Sequence, residues 1–236
     1  QLNDLWDDLD LMGDGAKHYT GTLVLKRTST QHESDLGEEL VEWEVVDGQQ
    51  RATTCLILID QLRRAFGRLA DAGVAPAAER ANVLQRTYGL VPLAGRGEPR
   101  LRLGADFHDY WATCVLADGQ QTRGKLRDAE RRLSVAAEFF SAQIDDLCEG
   151  VSPEEAFQRL KELQRRVTLG LRFLVYEVEP ESHAGEIFET LNARGRELTE
   201  LDKIKNYLLF LAESLPGSRK NTVVREVNVA WTGIHE

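Results

Sequence analysis

The stretch from Trp43 to Leu62 constrains the fold more than any other part of the chain. Aromatic and β-branched residues alternate with charged ones up to Asp47, a pattern that predicts a strand. The dipeptide Asp47-Gly48 then favours a tight turn. Apolar residues recur at helical spacing after the turn: Leu56, Ile59, Leu62 and Phe66. We therefore predict a strand, a sharp turn and a buried helix that begins close to Gln49.

This turn is a candidate anion-binding site. Backbone N–H groups at the start of a helix point towards whatever lies over the turn, and the helix dipole favours a negative charge there. Arg51, in the first turn, adds a positive charge beside Gln49 and Gln50. A purely structural interpretation stays open, in which Asp47 only caps the helix and Arg51 only pairs with an acid.

The rest of the chain mixes helices and strands, with helices dominating the middle. Helices are predicted over residues 2–12, 78–88 and 126–147, and another follows the capping box that begins at Ser152. Short strands are predicted over residues 20–26, 101–103 and 172–178. Residues 28–39 are predicted to form an exposed, mobile, acidic loop. The pattern indicates an α+β fold.

Charge and cysteine content exclude several classes of protein. No apolar run is long enough to cross a bilayer, and no secretory signal opens the chain. Cys55, Cys114 and Cys148 are widely spaced, which argues against a disulfide framework or a zinc site and favours a cytoplasmic location. The formal net charge of −10 leaves room only for a local contact with nucleic acid. Since the chain begins at Gln1 and ends in mid-pattern, we expect it to be part of a longer protein.

A second dense stretch runs from Ile187 to Asn206. An apolar helix face is predicted to end at Asn192–Gly195, and Thr199 is predicted to start a new helix with Asp202 as its capping-box partner. Capping accounts for part of this pattern, and Asp202 with Lys205 has the spacing of a surface ion pair. Capping does not explain why polar residues crowd around this one junction: Asn192, Arg194, Lys203, Lys205 and Asn206.

The two stretches together resemble a known family. Asp47-Gly48-Gln49-Gln50-Arg51, followed by Phe188-Glu189-x-Leu191-Asn192-x-Arg194-Gly195 and by Asp202-x-x-Lys205-Asn206, is similar to the DGQQR-containing N-terminal domain of modification-dependent restriction proteins. GmrSD, BrxU and the phosphorothioate-responsive SspE carry this domain, and the resemblance points first to the SspE-like members. It covers nearly the whole chain, from Tyr19 to Trp231.

The resemblance implies a fold and a domain organisation. The fold expected is α+β and helix-dominated, a ParB/sulfiredoxin-like small mixed sheet with a large helical insertion. Residues 1–236 would form one domain, with 1–75 and 168–212 as the αβ core and 76–167 as the mostly helical insertion. Members usually carry a Pro-x-Tyr-Gln-Arg segment before the first amphipathic helix, and the chain starts after it.

The resemblance also implies a nucleoside-triphosphatase acting on GTP or ATP with Mg²⁺, in defence against phage DNA. The catalytic residues would be Asp47, Arg51, Arg194 and Asp202, with Asp47 also as magnesium ligand. The nucleotide-binding residues would be Gly48, Gln49, Gln50, Asn192, Gly195, Lys205 and Asn206. We expect Asp47 and Arg194 to meet at one bound phosphate. No Walker-type loop is present in the sequence.

The expected partners are modified DNA, a C-terminal HNH nuclease domain and a second copy of the chain in a homo-oligomer. Nothing in the sequence resembles an HNH nuclease, and His108-Asp109, within an amphipathic turn, comes nearest to one. Two alternatives to an enzyme stay open: a ParB-like module that binds DNA or nucleotide without hydrolysis, and a structural scaffold for the nuclease.

Overall fold

The structure, a computed structural model, describes residues 2–13, 15–116 and 126–178, together with the isolated positions 219, 223 and 226. The helices in these ranges are α1 (Leu2–Asp10), α2 (Gln49–Asp71), α3 (Ala75–Leu84), α4 (Ala105–Tyr110), α5 (Asp128–Cys148) and α6 (Pro153–Arg165). The strands are β1 (His18–Glu33), β2 (Glu39–Asp47), β3 (Leu90–Leu93), β4 (Arg96–Pro99) and β5 (Leu171–Val178). Wide π-helical turns occupy Gln85–Gly89, Trp111–Leu116 and Arg166–Gly170. The predicted α+β, helix-dominated architecture is confirmed.

The chain divides into two compact units. The first consists of Gln1–Leu23, Ser29–Glu42 and Gly48–Val175, and the second of Val24–Thr28, Trp43–Asp47 and Tyr176–Glu236. The six helices and the antiparallel hairpin of β3 and β4 belong to the first unit. The described residues of the second unit include segments of β1, β2 and β5, and these three strands form a sheet in the order β2-β1-β5.

Helix α2 is the centre of the first unit's core. Leu58, Leu62 and Phe66 are fully buried on it, and the helix packs against α3, α5 and α6. The rings of Phe66 and of Phe157 on α6 meet in an edge-to-face arrangement, with their centroids 5.8 Å apart. The apolar periodicity after Gln49 therefore predicted the central element of the core.

The sequence also located the helices of the second half. Helix α5 follows the predicted stripe, with Phe140 and Ile144 almost completely buried. Ser152 caps α6 as predicted, and its Oγ accepts a hydrogen bond from the backbone N–H of Glu155 at 3.2 Å. Pro153 is the first helical residue, where its missing N–H costs nothing.

The prediction of an exposed acidic loop over residues 28–39 was wrong. β1 continues to Glu33, and only residues 34–38 turn the chain into β2. The buried hydroxyl of Ser34 accepts hydrogen bonds from the N–H groups of Leu36 and Glu38, which holds the turn together. Across the two strands His32 Nε2 lies 3.2 Å from a carboxylate oxygen of Glu42.

The prediction of a strand over residues 101–103 was wrong, because the backbone there bonds to a buried side chain. The carbonyl of Leu101 accepts a hydrogen bond from the indole N–H of the fully buried Trp111 at 2.8 Å. The hairpin of β3 and β4 precedes this segment and turns on Ala94 and Gly95, both at positive φ. Two such residues form the short loop that matches the twist of a hairpin.

Asp60 is the buried charge at the middle of α2. Its side chain is 4% exposed and receives hydrogen bonds from Arg63 Nε at 2.8 Å and Arg64 Nε at 2.7 Å. Arg64 also donates to the carbonyl of Val115 at 2.7 Å, which ties the turn Trp111–Leu116 to α2. Burial raises the pKa of Asp60, while the charges of Arg63 and Arg64 act in the opposite direction.

Helix α1 is anchored by the far end of α6. Arg166 donates from Nη1 to the carbonyls of Leu9 at 3.2 Å and Asp10 at 3.3 Å, which are orphan acceptors at the end of α1. Met12 packs so closely on the backbone of Gly170 that any Cβ there would collide with the thioether sulfur. Both contacts join residues near the start of the chain to residues more than 150 positions later.

Candidate functional site

Gly48 makes the sharp turn from strand to helix that the sequence predicted. It is the N-cap residue of α2 and adopts the left-handed conformation, with φ 90° and ψ 9°. A Cβ at this position would lie 2.5 Å from Cδ2 of Leu23 and 2.8 Å from the carbonyl oxygen of Thr22. Glycine is therefore required twice here, by the backbone conformation and by the close approach of β1.

The start of α2 presents the backbone groups that an anion would bind. The first bond of the helix ladder runs from the N–H of Ala52 to the carbonyl of Gly48 at 3.0 Å, so the N–H groups of Gln49, Gln50 and Arg51 precede the ladder. The side chains of these three residues are exposed. The first turn of α2 carries no acidic residue, so its dipole is not met by a carboxylate of its own turn.

Arg51 reaches back from this turn to β1. Its Nη1 donates a hydrogen bond to the carbonyl of Thr22 at 2.8 Å. A carbonyl oxygen accepts a hydrogen bond from a guanidinium and so fixes its position. This bond therefore holds a positive charge beside the N-terminus of α2.

Asp47 is the last residue of β2 and is half-buried. The N-cap position of α2 is occupied by Gly48 and not by Asp47. Asp47 therefore precedes the capping position by one residue.

The second stretch lies outside the described residues. This applies to Asn192, Arg194, Gly195, Asp202, Lys205 and Asn206. The expectation that Arg194 and Asp47 meet at one phosphate consequently stays a prediction.

The part of β1 that packs on this turn was not predicted as part of the site. Gly21, at φ 125°, lies beside the side chain of Arg51, and Tyr19 Oη lies 2.9 Å from Thr22 Oγ1. One signal was available: an isolated glycine inside a strand pattern indicates a bulge or a close backbone approach. Its partner could not be inferred, since Gly21 and Arg51 are far apart in the sequence.

Two of the three cysteines are poor candidates for nucleophilic chemistry. All three are free thiols. Burial raises the pKa of Cys55 to about 11, and burial is also the main cause of the raised pKa of Cys148. Both thiols are therefore poor nucleophiles at neutral pH.

The described ranges also limit metal binding and membrane insertion. Within them, no group of three or more His, Cys, Asp or Glu side chains is arranged to hold a metal ion. Nor do these ranges hold a helix with the length and apolarity to span a membrane.

A cavity of about 430 Å³ lies elsewhere in the first unit, between α1, the end of α5 and α6. Trp6, Leu9 and Leu163 contribute to its walls, and none of the motif residues that the structure describes does. The arginines at its rim are engaged within the fold: Arg159 donates to the carbonyl of Leu147, and Arg166 caps α1. The cavity is therefore separate from the turn at Gly48.

Comparison with known proteins supports the resemblance suggested by the two motifs. No curated protein matches the chain. The sequence profile of the family described as "GmrSD restriction endonuclease, N-terminal domain" matches residues 1–209. The match includes both stretches and spans most of the chain, so this protein belongs to the family of GmrSD restriction endonuclease N-terminal domains.

Proposed function

We propose that this domain hydrolyses a nucleoside triphosphate, GTP or ATP, and thereby controls a restriction nuclease. The observation that carries the proposal is the strand–turn–helix at Gly48, where a guanidinium is held beside the N–H groups of a helix N-terminus. Such a turn favours phosphate through both its dipole and its donors. The family match supports the context, since its members are N-terminal domains of restriction endonucleases.

In this proposal the turn binds the phosphates. The N–H groups of Gln49 and Gln50 donate to phosphate oxygens, and the conformation of Gly48 keeps them convergent. Asn192, Gly195, Lys205 and Asn206 supply further contacts from the second stretch, as the family resemblance implies. Neither set contains a Walker-type loop.

Arg51 acts on the charge that develops during phosphoryl transfer. A preorganised cation stabilises that charge most strongly, because it needs no rearrangement during the reaction. The bond to the carbonyl of Thr22 provides this preorganisation for Arg51. Arg194 is proposed as its counterpart, and Asp47 or Asp202 as the group that orients the attacking water.

The carboxylates among the candidate site residues fit the small number that a magnesium site needs. Mg²⁺ keeps most of its water and is held in nucleotide sites by one or two carboxylates together with substrate phosphates. Asp47 is a carboxylate next to the turn, and Asp202 is the second candidate in the sequence. When bound, the ion would neutralise phosphate charge; the positioning of the phosphates would remain the task of Gly48, Gln49 and Gln50.

Modified DNA is the partner proposed for this domain, and phosphorothioate is the first candidate modification. Binding or hydrolysis of nucleotide here would regulate an HNH nuclease domain, and a homo-oligomer is part of this proposal. Because the net charge is −10, contact with DNA must be confined to a small surface.

The proposal is tested by nucleotide turnover. We expect the purified chain to release phosphate from GTP or ATP in the presence of Mg²⁺, and EDTA to abolish the release. Chromatographic co-elution of activity and protein guards against a contaminating phosphatase. Nucleotide binding without turnover would instead favour the non-hydrolysing ParB-like module, and no binding at all would favour the scaffold.

The same preparation is expected not to cut DNA. An HNH site needs a His general base beside metal-binding side chains, and no metal-binding cluster occurs among the described residues. His108 lies on the short helix α4 with a buried Nδ1 that lacks a hydrogen-bond partner, and the carbonyl of the neighbouring Asp109 accepts from Thr113. Plasmid incubated with Mg²⁺ or Mn²⁺ should stay supercoiled. Nicking that disappears in His108→Ala would contradict this expectation.

A further inference from the structure

We infer that Gly21 is a positioning residue of the phosphate site, because it allows β1 to hold the guanidinium of Arg51 in place. This inference rests on the proposed function and assigns a role to a segment of β1 outside both sequence motifs. The segment meant is Tyr19–Thr22, which lies in the same compact unit as Arg51.

The first support is steric. A Cβ added to Gly21 would lie 3.0 Å from Cδ and 3.1 Å from Nε of Arg51. These distances are tighter than ordinary van der Waals contact, so any larger residue would push the arginine side chain away from the strand. Because Arg51 is exposed, its side chain can move to relieve the contact. The substitution would then misplace the guanidinium at the phosphate site and leave the packing of the core unchanged.

The second support is conformational. Gly21 has φ 125°, which other residues rarely adopt. In a regular strand, residues three apart point to opposite faces. Here the hydroxyls of Tyr19 and Thr22 lie 2.9 Å apart, so the strand departs from regular alternation around Gly21. The same departure presents the carbonyl of Thr22 to Arg51 Nη1 at 2.8 Å.

The third support is that glycine is needed on both elements that meet here, at Gly21 on β1 and at Gly48 before α2. Gly48 faces the same carbonyl of Thr22, and a Cβ there would come within 2.8 Å of it. Gly48 thus lets the start of α2 approach the backbone of β1, and Gly21 leaves room on β1 for the side chain of Arg51. Arg51 is fixed between them, with its charge beside the N–H groups proposed to bind phosphate.

The test is Gly21→Ala, with Gly73→Ala as the matched control. Gly73 also has positive φ, 93°, but a Cβ there would meet nothing within 4 Å. We expect Gly21→Ala to lower kcat for nucleotide hydrolysis about tenfold to a hundredfold, because small misplacements of a catalytic group have effects of this size. KM should change less than kcat, and Gly73→Ala should keep wild-type kinetics.

A double-mutant cycle separates positioning from a structural role. In an Arg51→Ala background, Gly21→Ala should cause no further loss of hydrolysis and no further loss of affinity for a fluorescent, non-hydrolysable GTP analogue. It should also lower the melting temperature less than in the wild-type background, because the atoms it crowds are gone. This last readout needs no enzymatic activity.

The outcomes are distinguishable. If the wild-type chain hydrolyses no nucleotide, the proposed function fails, while coupling of Gly21 to Arg51 in thermal unfolding would still support the contact. If Gly21→Ala behaves like Gly73→Ala in kinetics, affinity and melting, the inference is wrong. If Gly21→Ala and the double variant both fail to fold, Gly21 serves the fold and the positioning role is refuted.

Discussion

Arg51→Ala is expected to lower the rate of nucleotide hydrolysis by about 10²–10³-fold, the usual loss when one charge-stabilising group is removed. The fold should survive. The side chain is exposed, and the hydrogen bond that it donates to the carbonyl of Thr22 is worth about 1 kcal/mol. Steady-state phosphate release and thermal unfolding, measured on the same preparation, give both quantities.

Arg68→Ala is the matched control for this substitution. Arg68 is an exposed arginine near the other end of α2 and pairs with Asp145 at 2.5 Å on the surface. Its removal should leave hydrolysis unchanged and cost about 1 kcal/mol of stability or less. If Arg51→Ala melts far below both wild type and Arg68→Ala, then Arg51 is structural and its catalytic assignment is refuted.

Asp60→Ala should be among the most destabilising single substitutions in the described part of the chain. It would leave Arg63 and Arg64 without the buried carboxylate that both now contact. Breaking a buried charge network from one side typically costs about 3–5 kcal/mol. Chemical denaturation followed by circular dichroism measures the loss directly.

The comparison variant is Asp145→Ala, which breaks the surface pair with Arg68. Asp145 has a side-chain exposure of 58%, against 4% for Asp60. Solvent screening should limit the cost of Asp145→Ala to about 1 kcal/mol. Equal destabilisation by the two substitutions would show that the network around Asp60 contributes no more than a surface ion pair.

The sequence predicted best those elements whose pattern is set by a buried face. Helices α5 and α6 show the helical period because one side of each packs on the core, and α2, whose apolar residues also recur at helical spacing, is buried all round from Ile57 to Leu62. The second half of β1, from Arg27 to Glu33, is polar and mostly exposed, so no apolar alternation marks it. Its strand conformation depends on pairing with another strand, such as the contact of His32 with Glu42, and pairing is not visible in a local pattern.

The candidate site was predictable only where local sequence signals mark it. The turn at Gly48 and the position of Arg51 follow from local signals: a turn dipeptide, the start of a helical period and a charge in the first turn. The partner of Arg51 did not follow, since a backbone carbonyl on β1 carries no side-chain signature. In the sequence Gly21 is only a glycine inside a strand pattern. Its role depends on tertiary packing, which a local pattern does not show.

The attachment of α1 affects the order in which parts of the molecule lose structure. Arg166 caps α1 across a separation of 157 residues, and Met12 meets Gly170 across a similar span. Closing so long a loop is entropically costly, and these contacts form only after α6 has been placed. Amide protons of α1 should therefore exchange with solvent through a local opening, at a free energy below that of global unfolding. The amides of α2 around Leu58 and Leu62 should exchange only when the whole unit unfolds.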